Sequence, residues 1–96
     1  MGYKKTFNLR QYKFHWQYKK FFKYCEDNGL EILADDVRFI KESLERLTND
    51  VEVARGILYK YYTSYQEGMT LEKCDIKRQN AGRRNANNYL LILLDD

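Results

Sequence analysis

Tyr12-Lys13-Phe14-His15-Trp16-Gln17-Tyr18-Lys19-Lys20-Phe21-Phe22-Lys23-Tyr24-Cys25 carries two periods at once, and the choice between them decides the fold class. Tyr12, Phe14, Trp16 and Tyr18 alternate with Lys13, His15, Gln17 and Lys19, which is the period of a strand. Phe14, Tyr18, Phe21, Phe22 and Cys25 also fall at the three-and-four spacing of a helix. The run from Asn8 to Tyr24 contains no turn signal and is long for a strand, so the helical reading is preferred.

Downstream, Glu26-Asp27-Asn28-Gly29-Leu30 reads as the end of that helix. Gly29 is able to take the left-handed position, and Leu30 follows as its hydrophobic partner. Asp35 or Asp36 then caps a second helix whose Val37, Ile40, Leu44 and Leu47 share one face. Thr48-Asn49-Asp50 offers the cap of a third, which Val51, Ala54, Leu58, Tyr61, Tyr62 and Tyr65 mark and whose end is expected near Gly68. A fourth helix is expected from Thr70 through Leu93, bent or interrupted at Gly82. Tyr89-Leu90-Leu91-Ile92-Leu93-Leu94 is open to a buried strand or a helix end, with helix preferred. The expectation is an all-α, compact single-domain bundle of four to five helices over residues 1–96.

With 96 residues, 44% of them hydrophobic and 32% charged, the chain has the composition of a folded protein with a modest core. It contains no proline and no Gly-rich linker, no repeat, and no apolar run of spanning length; a cytoplasmic protein without a membrane partner is expected. Cys25 and Cys74, far apart and outside any CxxC or histidine-containing spacing, are expected to be free thiols, although a single long-range bridge stays open.

The net charge of +3 conceals a strong segregation. Residues 1–25 hold seven bases and no acid, residues 26–72 hold eleven acids against five bases, and residues 73–88 return to +4. Such a pattern points to an anionic partner for the basic ends, or to attraction between the regions themselves. Nine of the fifteen aromatic residues also lie in the first 25 positions. Cations neutralise phosphates and aromatic faces stack on unpaired bases, so this interleaving suits single-stranded nucleic acid or structured RNA better than sequence-specific duplex DNA. The competing reading is an amphipathic helix with rings in the core and lysines in water.

A second basic element, Lys73 to Asn88, combines arginines with amides able to meet phosphates or base edges. Its competing reading is a solvated helix whose Arg83 and Arg84 pair with the acidic centre. The candidate nucleic-acid contacts are Arg10, Lys13, Lys19, Lys20, Lys23, Lys77, Arg78, Arg83 and Arg84, with Trp16 or Tyr12 stacking if exposed. Recognition-module, Walker and dinucleotide motifs are absent, and the match of residues 70–94 to a helix-turn-helix is weak.

Catalysis finds little support. His15 is the sole histidine, the aspartate pairs read as caps and chain end, and no metal-ligand spacing occurs, so neither an enzyme nor a cofactor is expected. Tyr59, Tyr62 and Tyr65 support an alternative function, a protein-interaction module or homo-oligomer contact that also uses the acidic centre. In being small, all-helical and basic at both ends, the chain is similar to the small helical subunits of RNA-guided defence complexes, which line a nucleic-acid groove. The likeness is one of architecture, and no residue role is taken from it.

Overall fold

The computed structural model describes residues 12–95, and its regular elements are helices: α1 (His15–Asp27), α2 (Ala34–Leu47), α3 (Val51–Leu71), a short 3-10 turn (Asp75–Lys77) and α4 (Arg78–Asp95). The fold is all-α. Arg10, with the lysines and aromatics that precede it, lies outside the described residues.

The double period of the opening segment resolves in favour of the helix because Phe14, Tyr18, Phe21 and Cys25 bury on one side, while Trp16, the odd member of the alternation, is 64% exposed. Helix α1 stops at Gly29, whose φ of 78° places it in the left-handed region. The Gly29 N–H donates to the Glu26 carbonyl and the Leu30 N–H to the Cys25 carbonyl, and Leu30 buries beside them. This paired closure satisfies two terminal carbonyls, and a glycine meets it without a Cβ penalty.

Helix α2 buries Ile40 and Leu44. Its cap differs from the expectation, since the N-cap residue is Leu33 and Asp36 reaches back to accept from the Leu33 N–H at 3.0 Å. The other end is closed from the segment just before α1: Lys13 Nζ donates to the carbonyls of Glu45 and Thr48, each at 3.2 Å, and to Asn49 Oδ1. A cation at a helix C-terminus satisfies free carbonyls and complements the dipole. Helix α3 starts, as the sequence indicates, on Asp50, whose carboxylate accepts from the Glu52 N–H at 2.8 Å.

Two expectations about α3 and α4 are corrected. Gly68 does not end a helix; α3 runs on to Leu71, and α4 begins only at Arg78 after residues 72–77. Gly82 does not interrupt α4, which is continuous to Asp95. Both glycines serve packing instead. A Cβ on Gly68 would lie 2.6 Å from the Ala81 carbonyl oxygen, and one on Gly82 would lie 2.5 Å from the Tyr65 ring. Contacts pair Gly68 with Ala81 and Gly82, Ser64 with Asn85, and Tyr61 with Asn87, so the two helices run antiparallel. Gly82, Ala86 and Leu90 form the buried stripe of α4.

Gly56 has a different environment, with nothing within 4 Å of the position its Cβ would take. Alanine there loses less backbone entropy on folding, so Gly56→Ala is expected to stabilise the protein by about 0.5–1 kcal/mol. A rise in the urea midpoint at unchanged m-value checks it.

A buried polar network joins the helices. Asp36, 3% exposed, receives Arg83 Nε at 2.7 Å and Arg83 Nη2 at 3.3 Å, together with Asn87 Nδ2 at 3.0 Å. The Tyr61 hydroxyl donates to Asn87 Oδ1 at 2.6 Å. One layer away the Tyr65 hydroxyl lies 2.9 Å from the Glu31 carbonyl and 2.6 Å from Gln79 Oε1, and Gln79 Nε2 donates to the Gly29 carbonyl at 2.9 Å. The α1–α2 connection is thereby tied to α3 and α4 by hydrogen bonds as well as by apolar contact.

Candidate nucleic-acid interface

Along the outward side of α1, Trp16, Lys19, Lys20, Lys23 and Tyr24 are all exposed. Lys19 Nζ sits 5.5 Å from the centroid of the Trp16 ring, within cation–π range. Lys23 Nζ lies 3.4 Å from Asp27 one turn on, with both side chains more than half exposed. Pairs of that kind contribute about 0–1 kcal/mol, so a phosphate competes with the aspartate on nearly equal terms.

Between α1 and α3 runs a groove of about 470 Å³. Phe21 and Leu58 form its apolar floor, Lys20 and Arg55 its cationic rims, and the rings of Tyr24, Tyr59 and Tyr62 its walls. Tyr24 and Tyr62 have their ring centroids 4.9 Å apart. Tyr24 is 50% and Tyr59 66% exposed, so ring area at this groove faces solvent. Arg55 is held by Glu52 at 3.2 Å in a second exposed pair.

The remaining candidates divide between surface and scaffold. Lys13 is engaged at the C-terminus of α2 and Arg83 with Asp36, so these two cations serve the fold. Tyr12 is partly buried and packs edge-on against Tyr18 at 6.0 Å, which leaves Trp16 as the more open ring. Lys77 is exposed in the 3-10 turn, and Arg78 binds the Glu72 carbonyl at 3.2 Å and Asp75 at 3.5 Å. Arg84 is exposed on the ridge between two shallow depressions of about 400 and 370 Å³ that share Asn88. Asn87, one of the amides of the same basic element, turns inward to Asp36.

This second basic face does not adjoin the first. Arg55, Tyr59 and Tyr62 lie roughly half a turn around α3 from Ser64 and Gly68, the positions against which α4 packs.

The tyrosine row is likewise divided. Tyr65 is 0% and Tyr62 7% exposed, and both rings belong to the core, with Tyr62 also reaching the wall of the groove; Tyr59 alone of the three stands out from it. Burial, only partly offset by the hydrogen bond with the Glu31 backbone, pushes the Tyr65 hydroxyl up to about 12. Sequence reasoning missed Arg55 and Tyr59 as neighbours of the α1 lysines. The signal was their spacing of four, which sets both on a face adjacent to the apolar stripe of Ala54, Leu58, Tyr61 and Tyr65.

No protein-family model, curated protein or solved structure matches this chain. The functional reading therefore rests on the side chains themselves. Burial pushes the Cys25 thiol up to about 12, which leaves it protonated at neutral pH, and Cys74 is an exposed free thiol. Among the described residues no group of three or more histidine, cysteine, aspartate or glutamate side chains comes together as a metal site, and no helix is long and apolar enough to cross a membrane.

Proposed function

We propose that this protein binds nucleic acid through the α1–α3 face and acts by positioning its partner, as an accessory subunit of a nucleoprotein complex, with no chemistry of its own. The observation that carries the reading is the groove in which Lys20 and Arg55 flank solvent-facing Tyr24 and Tyr59, extended along α1 by Lys19, Lys23 and Trp16. Cations arrayed beside open aromatic faces match a backbone of phosphates with accessible bases. Lys77 in the 3-10 turn, with Arg78 and Arg84 on α4, provides a separate basic face.

Trp16 is the only tryptophan and stands at the edge of this surface, so its fluorescence reports occupancy directly. Quenching by single-stranded oligonucleotides that weakens steeply with salt is the expected result. In a Lys19→Ala, Lys20→Ala, Lys23→Ala variant, anisotropy of a labelled strand should show the logarithmic salt slope reduced by about two, at about 0.7 for each phosphate no longer neutralised. A variant that folds and binds unchanged at low salt removes α1 from the interface.

A second reading, docking of a protein partner or a second copy, draws on Tyr59 and on the exposed Leu71, Ile76, Leu91 and Ile92. It becomes the working reading if oligonucleotides fail to bind at low salt.

A further inference from the structure

We infer that the α1–α3 groove takes one unstacked base of a single strand, its ring against Tyr24 and Tyr59 and its flanking phosphates on Lys20 and Arg55. The inference rests on the nucleic-acid reading above and specifies what that surface recognises.

Three features of the groove lead there. Its volume, about 470 Å³, gives room for one base. Its floor, Phe21 and Leu58, is apolar, and its open walls are phenol faces. Aromatic faces recognise the face of a base, which a duplex hides within its stack while presenting only base edges in its grooves. A double helix therefore leaves this surface unused, whereas a single strand can turn a base onto it.

The charges agree with this geometry. Lys20 and Arg55 stand on the two helices that bound the groove, one on each side of a base seated between them. The acid nearest Arg55 is Glu52, in an exposed pair that a phosphate can displace at little cost. One side-chain amide, Gln17, also lines the groove. A single amide beside sequence-tolerant stacking gives a preference for bases as such, with weak discrimination among them. The depressions on α4 lack this combination: Arg84 and asparagines line them without an aromatic ring.

The test compares a labelled oligothymidylate with an abasic strand of equal length and charge, and with a duplex, by anisotropy on the full chain at low salt. The intact strand should bind about tenfold or more tighter than the abasic one. Tyr59→Ala and Tyr24→Leu should collapse that ratio towards one while leaving the salt slope in place, and Tyr59→Phe should retain it. Lys20→Ala with Arg55→Ala should do the reverse, lowering the slope and keeping the ratio.

Binding with equal affinity for intact and abasic strands, or for duplex and single strand, overturns the base-stacking groove and leaves nucleic-acid binding standing. Failure of all three probes to bind overturns both. A ratio that survives Tyr59→Ala and Tyr24→Leu but falls with Trp16→Ala moves the stack onto α1 and also overturns the groove. Tyr59 and Tyr24 are at least half exposed, so their replacement does not open the core, and circular dichroism of each variant verifies this.

Discussion

Arg83→Ala is expected to destabilise the protein by about 3–5 kcal/mol, a large part of the 5–15 kcal/mol that holds a domain of this kind together. The arginine gives two charge-assisted hydrogen bonds to Asp36, which is 3% exposed, and its removal leaves a carboxylate buried without its counter-charge. Burial on its own would raise the Asp36 carboxyl. Hydrogen bonds from Arg83, the Leu33 N–H and Asn87, with the guanidinium charge behind them, outweigh burial and hold it below the usual carboxylate range. The same contact raises Arg83.

The pH dependence follows from the sign of that shift. A carboxyl depressed in the folded state contributes stability that is present above its unfolded value of about 3.9 and is lost as pH falls through the lower folded value. In Arg83→Ala that depression weakens, because the guanidinium's hydrogen bonds and charge go while the burial that raises Asp36 stays, and protonation then relieves more of the penalty than in wild type. The gap between wild type and variant should be widest near neutral pH and narrow below about pH 4. Urea titrations across that interval measure it. Adding Asp36→Asn to Arg83→Ala should recover part of the loss, since a neutral amide needs no counter-charge. If it recovers nothing, the loss belongs to packing of the arginine stem and not to the charge.

The second large effect comes from a single methyl group. Gly68→Ala would set a Cβ 2.6 Å from the Ala81 carbonyl oxygen and 3.0 Å from Gly82 Cα. Both are backbone atoms, so no side chain can swing aside, and the two longest helices must separate. Separation loosens Tyr61, Tyr65, Ala86 and Leu90 at once, and overpacking of this kind costs about 2–3 kcal/mol. Gly56→Ala, the same chemical change in the same helix, has the opposite expected sign. Unfolding midpoints of the two variants on either side of wild type would confirm that α3 and α4 touch through glycine. A Gly68→Ala protein as stable as wild type would contradict the close crossing.

The helices were legible because each carries its own local signals. Gly29 and Leu30 announce the end of α1, Asp50 the start of α3, and Ile40 and Leu44 the inward side of α2. The boundary between α3 and α4 was not legible, since a glycine that stops a helix and one that admits a neighbouring backbone look alike until the neighbour is known. Asp36 and Arg83 lie 47 positions apart, and nothing local to either marks the pair. The structural alternative considered for Arg83, engagement with the acidic centre, describes its contact in the fold. For the candidate site, the basic and aromatic character of α1 could be read directly. Its partner wall could not, because Tyr59, Tyr61, Tyr62 and Tyr65 share a residue type while burial alone divides the open Tyr59 from the others.

The phenols at the centre of the bundle have a consequence for how many arrangements the chain can adopt. A core of aliphatic side chains tolerates sliding, since one apolar contact replaces another at small cost. Here Tyr18 reaches Glu45 at 2.9 Å, Tyr61 reaches Asn87 at 2.6 Å and Tyr65 reaches the Glu31 carbonyl at 2.9 Å, each from a ring almost wholly enclosed. Shifting α3 by one turn would keep its rings in apolar surroundings and strand the hydroxyls of Tyr61 and Tyr65, at about 1–3 kcal/mol for each group left without a partner, while Tyr18 fixes α1 against α2 in the same way. The rings supply cohesion common to many arrangements; the oxygens select one register among them.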